Sequence, residues 1–316
     1  MEECNMKKII SLLLALTLAF AVSACGPKAG NTEAKQSAED FFEMADLSGT
    51  AIRVPKQINS IVVLAPAIAE MVVGLDCGGK VIGYDTQSSG LEGLPEGKPT
   101  FDLMSPDMEM LMGMKPDVLF VSNMTYYDQE DPFRMLIDQG VCVVSMPSAD
   151  TIDGIKRDLT FVATVLGMEE KGEELANDLQ KGLDNITQAI GTVSEKKRVY
   201  FELSAAPDLY SFGSGVFLNE MLELIGAENI LANQTGWLKV DAETVVAANP
   251  DVILTNVNYI ADPVGEILSR GGWDTVSAVR NRQVYYIDNM ASSLANQNVI
   301  IALEQMAKAV YPECFQ

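Results

Sequence analysis

Carboxylate residues recur twice in the chain with the same spacing. Residues 107–119 read Asp-x-Glu, six residues, then Pro-Asp and an apolar run, and residues 241–253 repeat this pattern. An aspartate in the first position can cap a helix, and a glutamate two residues later lies near the positive end of the helix dipole. Carboxylate pairs also act as acid and base in many hydrolases, but no pair stands out by its spacing among the 44 acidic residues.

Each copy of the pattern predicts one structural unit. The residues after the glutamate allow a short helix, which Pro116 or Pro250 would end because proline lacks the N–H donor that a continuing helix needs. The apolar run that follows is typical of a buried parallel strand. We therefore expect two lobes of similar design.

The chain contains no histidine, which excludes a Ser-His-Asp triad, a histidine-ligated zinc centre and a histidine-held haem. It also has no phosphate-binding loop of the G-x-x-x-x-G-K-[ST] type and no G-x-G-x-x-G fingerprint. Cys77, Cys142 and Cys314 lack the close spacing of a metal site, and at most one disulfide could form among them. These absences exclude several classes of enzyme, and we expect no intrinsic cofactor and no metal site.

Strand-like apolar runs alternate with helix-like stretches in both halves. The predicted strands are residues 60–64, 81–84, 118–121, 141–144, 199–201, 252–254 and 283–287. The predicted helices include residues 67–75, 216–225, 273–279 and 298–310. This alternation predicts an α/β fold with two Rossmann-like lobes, each built on a parallel-rich central sheet covered by helices.

The longest predicted helix, over residues 169–190, lies between the two halves. Five apolar residues recur there every three or four positions and share one helical face: Leu175, Leu179, Leu183, Ile186 and Ile190. The helix would be about 33 Å long and could bridge two lobes as a backbone, although a surface helix within one lobe would show the same pattern. The expected divisions are residues 46–150 for the N-terminal lobe, 151–195 for the backbone helix region and 196–316 for the C-terminal lobe.

The N-terminal residues have the three regions of a secretory signal. Lys7 and Lys8 precede an apolar run over residues 9–22, which at about 14 residues is short for a transmembrane helix. Residues 22–25 then read Val-Ser-Ala-Cys, which resembles the bacterial lipobox. An ordinary signal peptide with a chance cysteine is the alternative.

The lipobox interpretation makes residues 1–24 a lipoprotein signal peptide, with Met6 as a second candidate start. Cys25 would be lipidated and would anchor the protein to the outer face of the cell membrane. Residues 25–45 would form a tether, because they are poor in large apolar residues over most of their length. The chain has 22 basic and 44 acidic residues, a net charge of -22, which argues against nucleic acid as a partner.

The residues resemble a known family, the extracytoplasmic substrate-binding proteins of ABC importers for iron complexes and cobalamin, which have two α/β lobes joined by a rigid helix. The resemblance covers nearly all of residues 46–312. It rests on the order and spacing of segments 46–49, 54–56, 61–66 with Glu70, 80–84, 114–118, 219–230 and 247–253.

The resemblance implies a permease dimer with its ATPase as the partner of a monomeric binding protein. In the family a surface glutamate on each lobe docks into arginine pockets on the permease subunits, and the matching positions here are Glu109 and Glu243. The alternative is that both acids only stabilise helix ends. Glu70, Glu220 and Glu223 are competing docking candidates.

The same resemblance places the ligand in the cleft between the lobes, where loops follow the carboxyl ends of the strands. The expected contacts are aromatic and polar residues of these loops: Tyr84, Asp85, Ser122, Asn123, Tyr126, Tyr127, Tyr210, Phe212, Trp237, Asn256, Tyr259 and Asn289. Trp237 matches a cleft tryptophan position of cobalamin-binding members. Aromatic rings bury a large area while their polar ends fix orientation, which suits a bulky chelate.

The expected function is capture of an iron complex, a siderophore or haem, and its delivery to an ABC permease, with cobalamin or another corrinoid as the alternative ligand. The predicted loops contain no arginine, although Arg53 and Arg270 are candidates to reach the cleft. A neutral or cationic chelate therefore remains open beside an anionic siderophore. The alternatives of another class are a surface lipoprotein without a transporter and an α/β enzyme that uses the same cleft.

Overall fold

The computed structural model describes residues 40–125 and 131–315. The strands in this part are β1 Phe41–Ala45, β2 Ala51–Pro55, β3 Ile61–Leu64, β4 Val81–Asp85, β5 Thr100–Phe101, β6 Val118–Ser122, β7 Cys142–Met146, β8 Arg198–Glu202, β9 Tyr210–Phe212, β10 Glu228–Asn229, β11 Trp237–Lys239, β12 Val252–Thr255 and β13 Val284–Tyr286. The helices are α1 Pro66–Gly74, α2 Met108–Met114, α3 Arg134–Asp138, α4 Ile152–Leu166, α5 Glu169–Ile190, α6 Phe217–Leu224, α7 Ala242–Ala248, α8 Pro263–Ser269, α9 Ser277–Arg280, α10 Asn289–Ser293 and α11 Val299–Val310.

The first lobe is built on a five-stranded sheet in the order β5-β4-β3-β6-β7. All four neighbouring pairs are parallel, so the carboxyl ends of the five strands meet at one edge. Every residue of β3 and β6 is buried, as expected for central strands that helices cover on both faces. The predicted α/β class is confirmed for this lobe.

A hairpin of β1 and β2 precedes this sheet, and β1 begins at Phe41, inside the segment predicted as a tether. Asp46 stabilises the turn between β1 and β2, because one of its carboxylate oxygens accepts from the amides of Ser48 and Thr50. The other oxygen accepts from the amide of Ser145 in β7 at 3.2 Å. The aspartate thus fastens the hairpin to the sheet.

The second lobe repeats the design with a four-stranded parallel sheet in the order β10-β8-β12-β13. A small antiparallel pair, β9 with β11, stands beside it and carries Trp237 opposite Phe212. The predicted helix over residues 273–279 is wrong in extent, because only Ser277–Arg280 is helical. Trp273 instead packs edge-on against Tyr200 at 6.1 Å, so tertiary packing overrides the local helical pattern.

Helix α5 spans the two lobes, over the range that its apolar stripe predicts. Leu175 packs against the core of the first lobe, whereas the later stripe residues Leu179, Leu183, Ile186 and Ile190 belong to the core of the second. One continuous helix therefore contributes to the hydrophobic cores of both lobes. None of the helices in the described residues is long and apolar enough to cross a bilayer.

The repeated carboxylate pattern forms the same unit in both lobes, a short helix followed by an inner strand. Helices α2 and α7 are followed by Lys115 and Asn249, which both adopt the left-handed conformation directly before the proline. Asp107 caps α2 by accepting from the amide of Met110 at 2.9 Å. Asp241 occupies the matching position before α7, but its side chain makes no capping bond, so that part of the prediction is wrong.

Candidate functional site

A cavity of about 340 Å³ lies between the two lobes, at the carboxyl ends of the strands of the first sheet. Residues after β3 and β7 form one wall, and the start of α6 and the end of α10 contribute the other. The volume falls in the range of small-molecule sites, about 300–1,000 Å³. This position, at the edge where parallel strands end, is where α/β folds place their ligands.

The cavity lining is mainly apolar. Its large apolar side chains are Ile68, Met71, Leu103, Met124, Met146, Phe217, Trp237 and Leu294. A few polar side chains interrupt this surface: Gln87, Ser122, Ser148, Asp150, Asp158 and Ser293. Broad apolar area with a few placed polar groups is the usual composition of a site for a bulky organic ligand.

Trp237 is the predicted aromatic contact that lines the cavity. It lies on β11, and its side chain is 54% exposed, which is high for a tryptophan. Phe212 is fully buried directly behind it, with ring centroids 6.1 Å apart in an edge-on arrangement. Phe212 packs in turn on Phe201 at 5.6 Å, so this predicted contact supports the tryptophan rather than lining the cavity.

The predicted contacts Tyr84 and Asp85 are both buried. Their side chains make hydrogen bonds within the protein. The Tyr84 hydroxyl donates to the carbonyl of Pro95 at 3.3 Å. Asp85 accepts from the amides of Gln87 and Ser88 and from the Ser88 hydroxyl, and burial raises the pKa of its carboxyl despite these bonds. Its carboxylate shapes the turn that brings Gln87 to the cavity.

Asn256 is also buried, where it organises the end of the opposite wall. Its amide donates to the hydroxyls of Ser292 and Ser293 at 3.0 and 3.1 Å. The Asn289 side-chain amide donates to the backbone carbonyl of Asn256 at 2.7 Å, so both asparagines hold α10 in place. Ser293, the last residue of α10, is the one that reaches the cavity.

The remaining predicted contacts are spread around the site. Tyr259 is exposed, and its hydroxyl accepts from the amide of Ala205 at 2.8 Å. Tyr210 is exposed on β9, and Asn123 is exposed after β6, but neither lines the cavity. Ser122 does line it. Tyr126, Tyr127 and Cys25 lie outside the described residues.

Two lining segments are absent from the predicted contacts, residues 65–68 after β3 and residues 146–150 at and after β7. Both follow from the rule that parallel strands end at one edge, applied to every strand of the sheet rather than to β4 and β6. Residues 293–295 also line the cavity. Their approach depends on how the two lobes pack, for which the sequence carries no signal.

The two arginines considered for the cleft are engaged elsewhere. Arg270 makes a two-pronged ion pair with buried Glu202, at 2.7 and 2.8 Å, and also bonds Glu266. Its guanidinium stacks on Trp273 at 4.3 Å. Arg53 lies over the ring of Phe41 at 4.6 Å, on the hairpin.

A buried polar contact joins the lobes behind the cavity. Glu70 of α1 is 6% exposed, and its carboxylate accepts from the side-chain amides of Asn296 and Asn298 at 2.8 and 2.6 Å. Gln297 donates to the Glu70 backbone carbonyl at 3.0 Å. Glu70 is therefore committed to the contact between the lobes, and its burial makes it a poor candidate for docking.

Glu109 and Glu243 are exposed in the first turns of α2 and α7, which occupy matching places in the two lobes. The competing Glu220 instead accepts from the amide of Ile152 at 2.7 Å and ties α6 to the start of α4. Glu223 is exposed and accepts from the Asn219 amide at 2.7 Å.

Cys77, Cys142 and Cys314 are all free thiols, so none of them pairs in a disulfide. Burial raises the pKa of Cys142 to about 12 and also raises that of Cys77. Both thiols stay protonated at neutral pH and lack the thiolate that nucleophilic chemistry requires.

Residues 61–291 match the model of the family described as periplasmic binding protein. The chain is 30% identical to an uncharacterized ABC transporter substrate-binding lipoprotein, YvrC, of Bacillus subtilis, over 98% of this chain and 100% of that protein. It is 28% identical to the molybdate-binding protein MolA of Haemophilus influenzae, over 84% and 83% of the two chains. The crystal structure of a possible iron-binding, periplasmic solute-binding protein of Staphylococcus epidermidis superposes with a TM-score of 0.70 at 26% identity, covering 81% of this chain and 100% of that one.

Proposed function

The chain belongs to the periplasmic binding protein family, the substrate-binding proteins of ABC transporters, and we propose that it captures an iron complex and delivers it to a permease. Members of this family bind and hand over a small molecule and are not enzymes. The observation that carries the proposal is the apolar cavity between two lobes, with exposed Trp237 in its wall.

The chemistry of the lining supports a chelate in preference to a bare ion. No group of three or more His, Cys, Asp or Glu residues in the described ranges could hold a metal. Tryptophan, phenylalanine and methionine side chains instead suit the organic shell of a siderophore or haem. A corrinoid remains the second candidate, because an exposed tryptophan in the cleft wall offers a flat surface for a planar ring system.

The cellular setting of the proposal is the outer face of the cell membrane. The lipobox-like residues 22–25 support an anchor on Cys25, and the similar Bacillus subtilis protein carries the name lipoprotein. Glu109 and Glu243 are proposed to meet arginine pockets of the permease dimer, since both are exposed at equivalent places in the two lobes.

Isothermal titration of the purified mature protein against ferric siderophores, haem and corrinoids tests this function. The proposal predicts saturable one-to-one binding of at least one of these complexes, with affinity well above that for the metal-free chelator. Absence of binding across the whole panel would contradict it and would favour a surface lipoprotein without a transported ligand.

A further inference from the structure

The described residues that line the cavity carry charges of one sign. Among its described lining residues, the ionisable side chains are two carboxylates, Asp150 and Asp158, and there is no lysine or arginine. Asp150 is an exposed lining residue two positions before the start of α4, while Asp158 is the seventh residue of that helix and is 3% exposed.

Asp158 keeps part of its hydrogen-bonding capacity free. Its neighbour Arg157 donates both Nε and Nη2 to the same oxygen, Oδ1, at 3.1 and 2.7 Å. Within the described residues no hydrogen bond reaches Oδ2. The Arg157 side chain is 62% exposed, so solvent screens its charge and it compensates the buried carboxylate only in part.

A buried carboxylate in this position lowers the stability of the folded protein unless a ligand binds to it. Burial raises the pKa of Asp158, which means that the surroundings disfavour its charged form. An anionic ligand would face two carboxylates and, among the described lining residues, no cation. The space is largely apolar, where charges interact more strongly than in water. The net charge of -22 on the whole chain adds to that repulsion.

A cation would find complementary groups in the same cavity. Oδ2 of Asp158 can accept a charge-assisted hydrogen bond, and Asp150 attracts a positive group. The exposed ring of Trp237 and the ring of Phe217 provide aromatic surface against which a cation is stabilised.

We propose that the ligand is a metal chelate that carries a positive charge, and that Asp158 is its counter-ion inside the cavity, with Asp150 attracting it from the lining. This inference rests on the proposed function and specifies the class of chelate. It separates this chain from a binder of oxyanions or of carboxylate-rich siderophores.

Ferrioxamine B and its N-acetyl derivative form a matched pair of probes, because they share one ferric trihydroxamate centre and differ in a single ammonium charge. Aquacobinamide supplies a cationic corrinoid, and ferric citrate, haem and molybdate supply anions. The expected result is that a cationic probe binds at least tenfold more tightly than its neutral counterpart and than every anion. The preference should weaken at high salt.

Asp158→Asn should remove most of this preference by weakening the cationic probe about tenfold or more, with little change for the neutral one. The matched control is Asp153→Asn on the same helix, since Asp153 is exposed, pairs with Lys156 and does not line the cavity. Circular dichroism would establish that both variants are folded.

Tighter binding of an anion than of any cation would overturn the inference and leave the proposed function standing. Unchanged affinity of the cationic probe in Asp158→Asn would overturn it as well. If no probe of any charge binds, the proposed function fails and this inference fails with it.

Discussion

Asp158 illustrates how one residue can be unfavourable for folding and useful for binding. Its carboxyl has a raised pKa in the folded protein because of burial, so the folded state holds the proton more tightly than the unfolded chain does. The contribution of Asp158 to stability must then increase as the pH falls through its folded pKa toward the unfolded value of about 3.9. A neutral amide at this position has no such dependence.

We therefore expect Asp158→Asn to be at least as stable as the wild type at pH 7. The difference should shrink or reverse as the pH is lowered toward about 4, because protonation removes the penalty in the wild type. Thermal unfolding at several pH values measures this trend. A variant that is clearly less stable at pH 7 would mean that Asp158 supports the fold.

At the scale of elements, the two aspartates that follow the repeated prolines, directly before the inner strands, accept different numbers of hydrogen bonds. Asp117 accepts three bonds, from the amides of Asn59 and Ser60 and from the Ser60 hydroxyl, and so fixes the start of β3. Asp251 accepts one, from the amide of Arg198 at the start of β8. Asp117 should therefore stabilise the first lobe more than Asp251 stabilises the second.

Asp117→Ala should lower the free energy of unfolding by about 1–3 kcal/mol, and Asp251→Ala by less, because fewer donors lose their partner. Urea denaturation of the two variants measures both losses. Equal losses, or a larger one for Asp251→Ala, would show that the hydrogen bonds at the strand starts do not set the difference.

Elements with a local signal could be predicted from the sequence, and those set by packing could not. Helix α5 has the predicted bounds because its apolar stripe continues unbroken to the glycine that ends it. The cavity lies at the edge where the parallel strands end, which the sequence predicts as the ligand site, and Trp237 lines it. By contrast, Asp85 and Asn256 stand at correct strand ends, yet their side chains turn inward to nearby donors and hydroxyls. A sequence does not reveal which partner such a polar side chain takes.

At the scale of the whole molecule, ligand capture and docking should be separable, since Glu109 and Glu243 lie outside the cavity lining. Glu109→Ala combined with Glu243→Ala should leave ligand affinity nearly unchanged and abolish uptake by cells. Transport assays with labelled ligand, beside titration of the purified variant, measure both properties. Glu223→Ala is the contrasting variant: loss of uptake there would move the docking role to α6.

The proposed lipid anchor on Cys25 predicts a second behaviour of the intact protein. Cys25→Ser should release the protein or change its location, because the serine hydroxyl cannot take the thioether-linked lipid. Immunoblots of membrane and soluble fractions follow the protein. Normal membrane retention of the variant would remove the lipid-anchor assignment.

The central claim is that the ligand enters the cavity between the lobes, and the two tryptophans of the chain allow a direct test. Trp237 lines the cavity and is 54% exposed, whereas Trp273 is 2% exposed in the core of the second lobe. Trp273→Phe leaves the cavity tryptophan as the sole reporter, and Trp237→Phe leaves the core tryptophan. Fluorescence titration with a bound chelate should strongly quench the Trp273→Phe variant and only weakly quench Trp237→Phe. Equal quenching of both, or quenching of Trp273 alone, would contradict a site between the lobes.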